Sequence, residues 1–337
     1  MAGLSVGVVG LGLGRRFAEA FAGCDRVGRL VVCDPDERQV ERVRSSLARV
    51  AEAYPDIEEM LAREHLDAVA VVTADHLHRP HSEACLRAGC HVLQTKPLGT
   101  NLDDGRAIVR TAEATRRVLM VAHERRFRTR VKAIKALLDS AELGQVIHLR
   151  IDAIQDKRGQ FTKSPWYASA EAGRTALVGS GIHEVDLLRF LVGGPIEAVA
   201  AFSNRLGGLT FPKDKTTAAI YRFASGAVGQ VTVTYEAPWP KAGGIDDHFR
   251  LVATKGVVVG NRVARDGEDQ WEMLPGEPDE MAVSVRGCVE AFLNTVLDGA
   301  PNLVTGREAF ASLAACVAAD ESAVSGHPTK PAPADFP

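Results

Sequence analysis

Short, nearly uninterrupted apolar runs alternate with charged amphipathic stretches through the first third of the chain. Residues 6–10 form one such run, residues 30–33 a second, 66–72 a third, 91–94 a fourth and 118–122 a fifth. Runs of this length without polar alternation suit strands buried on both faces, as in a parallel sheet. Between them, the segments beginning at Phe17 and covering 37–53, 81–88 and 102–115 carry helical spacing, and Gly89 stops the third. The alternation predicts an α/β doubly wound parallel sheet.

Near His123 the pattern changes. A helix is expected over 131–138, closed by Leu143-Gly144, followed by a strand over 146–154 and a helix over 181–191 that ends at Gly193-Gly194-Pro195. Residues 196–202, 216–223, 227–235, 249–253 and 257–259 then read as strands, several with period two, which predicts a large mixed or antiparallel sheet with one exposed face. Helices over 283–297 and 307–324 complete an α+β second domain, and the proline-rich residues 328–337 read as a loose tail. The change of pattern alone places the boundary, giving domains of 1–122 and 123–337.

Composition narrows the partners. The 337 residues carry 40 Lys+Arg against 43 Asp+Glu, a net charge of −3, so there is no electrostatic case for nucleic acid. No apolar run approaches the ~18 residues of a membrane span, and Arg15-Arg16 follows the apolar start where an export signal would have its basic residues first. The six cysteines show no Cys-x-x-Cys spacing, which suits reduced thiols in a cytoplasmic protein, and no cluster of His, Cys and acids has metal-ligand spacing.

The candidate chemistry sits where the strands end. Gly10, Leu11, Gly12, Leu13, Gly14 and Arg15 lead from the first strand into a helix. Glycines there permit a tight turn and let a pyrophosphate reach the amides of a helix N-terminus, as in a Rossmann dinucleotide cradle. The third glycine of Gly-x-Gly-x-x-Gly falls on Arg15, with Gly14 one place early, so a plain glycine turn is the alternative. Asp34, ending the second strand, stands where a carboxylate would accept from the adenosine ribose hydroxyls; its alternative is a turn residue before Pro35. A carboxylate there favours NAD, while Arg15, Arg16 or Arg38 leaves NADP open.

Three further segments complete the set. Thr73, Ala74, His76 and His78 follow the third strand and would face the cofactor, or else belong to a helix-capping loop. Thr95-Lys96-Pro97 follows the fourth, with Thr95 and Lys96 also expected against the cofactor; a lysine there can hold a substrate hydroxyl and stabilise developing alkoxide charge, and a cis X-Pro turn would aim it inward. In Gly179 to Leu188, His183 and Asp186 lie one turn apart, and an imidazole can take the proton when an alcohol is oxidised; a structural histidine is the alternative.

In order and spacing these segments resemble the Gfo/Idh/MocA family of glucose-fructose oxidoreductases and inositol dehydrogenases. Residues 73–78 are similar to its Thr-Pro-Asn-x-x-His, residues 95–97 to its Glu-Lys-Pro, residues 122–127 to the segment entering its second domain, and residues 181–186 to the end of Asp-x-Gly-x-His-x-x-Asp. The resemblance implies Lys96 and His183 as catalytic residues. It also implies Arg125, Trp166, Tyr167 and Ser180 beside the substrate, a second domain that binds substrate and mediates assembly, and a homodimer or homotetramer. The implied reaction is hydride transfer between NAD, or NADP, and a sugar, cyclitol or similar polyol in an interdomain cleft. Transient-redox glycoside cleavage and a non-catalytic dinucleotide-binding relative are the alternatives. Four positions depart from the pattern: Ala74 and Asp75 replace its Pro and Asn, Thr95 replaces a glutamate, and Gly179 replaces the aspartate that partners the catalytic histidine, so that either Lys96 and His183 suffice, or Ser180, Tyr167 or the substrate takes over, or catalysis is lost. Substrate choice would lie in the loops 156–173 and 238–247, whose Trp166, Tyr167 and Trp239 could equally be lid, sugar platform or subunit contact.

Overall fold

The structure is a computed structural model that describes residues 3–239 and 248–336; residues 240–247 of the second expected substrate loop lie outside the described residues. The chain forms two compact units, one of Met1–Phe127 with Met281–Phe310 and one of Arg128–Glu280 with Ala311–Pro337.

The first unit follows the order β1 (Leu4–Val9), α1 (Gly14–Ala22), β2 (Val27–Cys33), α2 (Glu37–Ser46), β3 (Val50–Tyr54), α3 (Ile57–Arg63), β4 (Ala68–Val71), α4 (His78–Arg87), β5 (His91–Thr95), α5 (Leu102–Thr115) and β6 (Leu119–Ala122). Its six strands pair in the order β3-β2-β1-β4-β5-β6, all parallel. Val6 lies opposite Leu30 on one side and Ala68 on the other, and the central residues Val6, Val8 and Ala68 to Val71 have no exposed surface. This is the doubly wound order, with its reversal between β1 and β4.

The helix expected over 37–53 is corrected by this structure. It stops at Ser46, and Val50–Tyr54 becomes β3. Ala51, Glu52 and Ala53 favour helix by propensity, but pairing with β2 at the sheet edge overrides them and leaves Glu52 exposed. The unanticipated α3 follows, capped by Asp56, whose side chain accepts from the Glu59 amide at 2.7 Å.

The second unit contains α6 (Thr129–Asp139), β7 (Val146–Ile154), α7 (Arg158–Lys163), α8 (Ile182–Val192), β8 (Ile196–Asn204), β9 (Thr216–Phe223), β10 (Val228–Thr234), β11 (Phe249–Ala253), β12 (Gly256–Val259), β13 (Arg262–Arg265) and β14 (Glu272–Met273). The eight strands pair as β14-β13-β12-β11-β7-β10-β9-β8, with β7 and β10 parallel and the other neighbours antiparallel. Strict alternation in β9 buries Thr217, Ala219, Tyr221 and Phe223 while Ala218, Ile220 and Arg222 face outward. Leu188 of α8 packs on β10 where Gly229 has no side chain; a Cβ there would stand 2.5 Å from Leu188 Cδ2.

The last two helices are α9 (Glu280–Asp298) and α10 (Gly306–Ser325). Arg26 holds α9 through Asn294 at 2.6 Å and Asp298 at 2.8 Å, within the first unit. The expectation of a loose tail is also corrected. Thr329 exchanges two 2.8 Å backbone hydrogen bonds with Val199 of β8, and Phe336 is buried. An open strand edge and an apolar seat thus capture a segment whose prolines suggested none.

Asp320 of α10 accepts from Thr175 Oγ1 at 2.8 Å, and burial pushes its carboxyl up to about 7 from a reference of 3.8. A raised folded pKa means the folded chain holds a proton that the unfolded chain releases. The neutral carboxyl therefore favours folding fully below the unfolded value, and that advantage is lost as pH rises through 7. Asp320→Asn, which keeps the acceptor without the charge, is expected to raise the unfolding midpoint at pH 8.5, by on the order of 3 kcal/mol of stability, and to change it little at pH 4. Thermal unfolding of both proteins at the two pH values checks this.

Candidate active site

The glycine loop divides three tasks among three residues. Gly10 has φ of +85°, and a Cβ on it would stand 2.5 Å from the Val72 carbonyl oxygen, so only glycine turns here. Gly12 has nothing within 4 Å of its missing Cβ, which leaves its backbone open to a ligand. Gly14 opens α1, and its Cβ would press on Val8 and Val72 at 3.3 Å, so it supplies the close helix-to-sheet packing of a third fingerprint glycine. Arg15 lies one residue further, ion-paired with Glu19 at 2.9 Å. Leu13 is exposed beside the loop.

Asp34 is tied into the same turn. Its Oδ2 accepts from the Leu11 amide at 2.6 Å and its Oδ1 from the Asp36 amide at 2.9 Å. A carboxylate has about four acceptor positions, so two remain for ribose hydroxyls. Arg38 spends its guanidinium on Asp36 at 2.9 and 3.0 Å. A tight turn, an open amide face, close packing and a fixed carboxylate together fit a dinucleotide.

The turn after β5 is built from inside. The Lys96–Pro97 bond is cis. His78, fully buried, puts Nδ1 2.7 Å from the Pro97 carbonyl and Nε2 3.1 Å from the Thr73 carbonyl, and burial lowers its pKa. Gln94 donates to the Pro97 and Leu98 carbonyls, both at 3.0 Å, while accepting from Ser82 Oγ at 2.8 Å. Thr95 Oγ1 donates to the Val71 carbonyl at 3.2 Å. These contacts hold the loops after β4 and β5 together and leave Lys96 half-buried at the carboxyl end of the sheet. His78 thus sits under the turn, whereas His76, in a short 3₁₀ turn with Asp75 and Leu77 after Ala74, is exposed. Thr73 Oγ1 lies 3.2 Å from His81 Nδ1. Ser82 and Gln94 escaped the sequence reading, although a glutamine closing an apolar strand is a visible signal.

In the second unit, a π turn over Leu177–Gly181 feeds α8, whose second residue is the buried His183. Inserted turns of this kind concentrate at functional sites. Asp186 accepts from Ser312 Oγ at 3.0 Å, and that oxygen accepts from Arg189 at 2.9 Å. Ser180 is buried and accepts from Tyr235 Oη at 3.1 Å. The rings of Trp166 and Tyr167 stack with centroids 3.9 Å apart, and the Arg174 guanidinium lies 4.8 Å from the Tyr167 centroid and 5.6 Å from that of Trp166. A Cβ on Gly179 would fall 2.1 Å from Nε and Nη2 of Arg174. Arg174 was invisible in the sequence, because nothing in the coil before α8 marks which side chain turns back on that glycine. Arg125 is half-buried in a 3₁₀ turn of the first unit, Glu124–Phe127.

The strand order, the glycine turn at its reversal and the carboxylate after β2 define a dinucleotide-binding Rossmann fold. Comparison with known proteins carries this further: residues 4–123 match the oxidoreductase family with an NAD-binding Rossmann fold, and residues 131–259 match the GFO/IDH/MocA C-terminal domain. The chain belongs to the GFO/IDH/MocA family of oxidoreductases and carries its NAD-binding Rossmann fold. It is 26% identical to 1,5-anhydro-D-fructose reductase of Ensifer adhaerens, covering 82% of this chain and 83% of that one. It is 25% identical to myo-inositol 2-dehydrogenase of Thermotoga maritima over 95% and 96% of the two chains. Among solved structures, GenD2 from gentamicin A biosynthesis, in complex with NAD, has a TM-score of 0.81 at 26% identity over 98% and 97%. No helix among the described residues is long and apolar enough to cross a membrane.

Asp34→Ala removes the acceptor for the Leu11 amide and for the ribose. Its NADH dissociation constant is expected to rise about tenfold to a hundredfold, the weight of one or two charge-assisted hydrogen bonds, with NADPH affinity falling less. Fluorescence titration with both cofactors checks this, and equal losses would remove Asp34 from the 2′ position.

Proposed function

We propose that this enzyme interconverts a CH–OH group and a carbonyl on a sugar, cyclitol or related polyol, with Lys96 and His183 as its catalytic residues. The observation that carries the reading is the buried His78 and Gln94 scaffold, which devotes four contacts to the Thr95, Pro97 and Leu98 carbonyls around one lysine-bearing turn. The substrates named for the relatives, anhydrofructose and inositol, support the chemical class.

Bound NAD would accept the hydride. The Lys96 ammonium would hold the reacting oxygen and stabilise alkoxide charge, and the His183 imidazole would take the hydroxyl proton. Carbon thereby loses two electrons with its hydrogen, oxygen loses its proton, and a carbonyl remains. Gly10, Gly12, Leu13, Gly14 and Asp34 would hold the dinucleotide, with Thr73, Ala74 and His76 beside it. Arg125, Trp166, Tyr167 and Ser180 are proposed for the substrate side.

Assembly and location belong to the same reading. One face of the eight-stranded sheet leaves Phe202 79% and Ile220 53% exposed, with Val228 beside them, which supports a homodimer or homotetramer built on that face. All six cysteines are free thiols, which supports a cytoplasmic setting.

Lys96→Met is expected to lower turnover on a polyol panel about a thousandfold while leaving the NADH dissociation constant within twofold. Unchanged turnover would take Lys96 out of the mechanism. For the assembly, Phe202→Glu with Ile220→Glu is expected to yield a monomer by light scattering; an unaltered mass would place the interface elsewhere.

A further inference from the structure

The π turn over Leu177–Gly181 winds wider than the α-helix it feeds, closing its hydrogen bonds five residues apart instead of four. It therefore inserts a residue and resets the register of α8. One residue of α-helix is about 100° around the axis, so absorbing the insertion into regular helix would swing His183 by about that angle relative to the chain before the turn. Whatever fixes the turn fixes the direction of the imidazole.

The turn is held against the sheet. A Cβ on Gly181 would stand 2.7 Å from Leu177 Cδ1 and 3.3 Å from Val233 Cβ, so the backbone lies directly on β10. Tyr235 follows that strand and continues the buried alternation of Val231 and Val233, which puts its ring on the same face. The ring is fully buried and meets Phe161 and Phe211 edge-on, with centroids 5.6 and 5.3 Å away. Packing on this scale fixes where the hydroxyl stands. Oη donates to Ser180 Oγ at 3.1 Å and lies 3.4 Å from the Ala176 carbonyl oxygen. One phenol thus reaches the residue before the turn and the only polar side chain of Leu177-Val178-Gly179-Ser180-Gly181. Thr175 caps the entry: its Oγ1 accepts from the Val178 amide at 3.0 Å, and its carbonyl from the Gly179 amide at 2.9 Å.

We infer that Tyr235 is a positioning residue, whose hydroxyl ties Ala176 to Ser180 and so holds the π turn that directs His183. It acts through Ser180 and the backbone of the turn, three residues before the imidazole. Its effect on turnover rests on the polyol-oxidoreductase reading, which it deepens, whereas the positioning itself is independent of activity.

The test uses Tyr235→Phe, which keeps the ring and removes only the hydroxyl. In the NADH-bound protein the Cε1–H resonance of His183, assigned by its loss in His183→Gln, is expected to shift or broaden. Amide exchange over residues 177–183 should quicken about fivefold to tenfold, the weight of one hydrogen bond, while the six-stranded sheet exchanges as before. On the polyol that the unaltered protein oxidises fastest, kcat is expected to fall about tenfold to a hundredfold, the cost of a displaced catalytic group, with KM within about twofold. Ser180→Ala cuts the same bond from its other end, so adding Tyr235→Phe to it should change little further. Ser180→Ala also carries the test if Tyr235→Phe does not fold. An unmoved His183 resonance overturns the inference, as does exchange that quickens equally along the whole chain, which would make the tyrosine a plain stability element. A moved resonance with undiminished turnover sinks the part given to His183 in the reaction and leaves the positioning standing. Absence of turnover by the unaltered protein on every polyol sinks the oxidoreductase reading alone, because resonance and exchange still decide the positioning.

Discussion

At the reversal between β1 and β4, the backbone of Gly10 approaches the Val72 carbonyl so closely that no side chain can stand between them. Everything on the nucleotide side follows from that approach. It lets the chain leave the sheet in one residue, brings Gly12 to an open surface, and lets Gly14 seat α1 directly on Val8 and Val72. The Asp34 carboxylate then closes the turn by accepting from Leu11. A methyl group at residue 10 would collide with the Val72 carbonyl and force apart the turn that leads from the sheet into α1.

Much of this was legible in the chain. Apolar runs without alternation marked β1, β2, β4, β5 and β6, because central strands of a parallel sheet are buried on both faces and have no polar period to confuse. β3 was hidden for the converse reason. It is an edge strand of alanine and glutamate, held by one neighbour, and its identity lies in pairing with β2 that no local pattern encodes. The glycine fingerprint, displaced by one residue from its usual spacing, still supplies a tight turn, an open backbone and close helix packing. The spacing is a proxy, and what matters is which residue faces Val8 and Val72.

The site shows a similar division. Lys96 and His183 stand out as candidates by motif and position, but the residues packed around them do not. His78 reads as a ligand-facing polar residue in one dimension, and in three it is buried between the Pro97 carbonyl of the Lys96 turn and the Thr73 carbonyl of the loop after β4. Arg174 lies five residues from Gly179 in an irregular segment, and only the fold reveals that they compete for the same volume. A departure from a family pattern can therefore mark a replacement rather than a loss.

The antiparallel bridge between Thr329 and Val199 also bears on how the protein can be handled. β8 is the last strand of its sheet, and residues after α10 cover part of its outer rim. Trimming the chain at the end of α10 would unveil amide and carbonyl groups on a strand already rich in exposed side chains. A bare rim of that kind recruits further strands from other molecules, so shortened versions would be prone to self-association unrelated to the natural assembly.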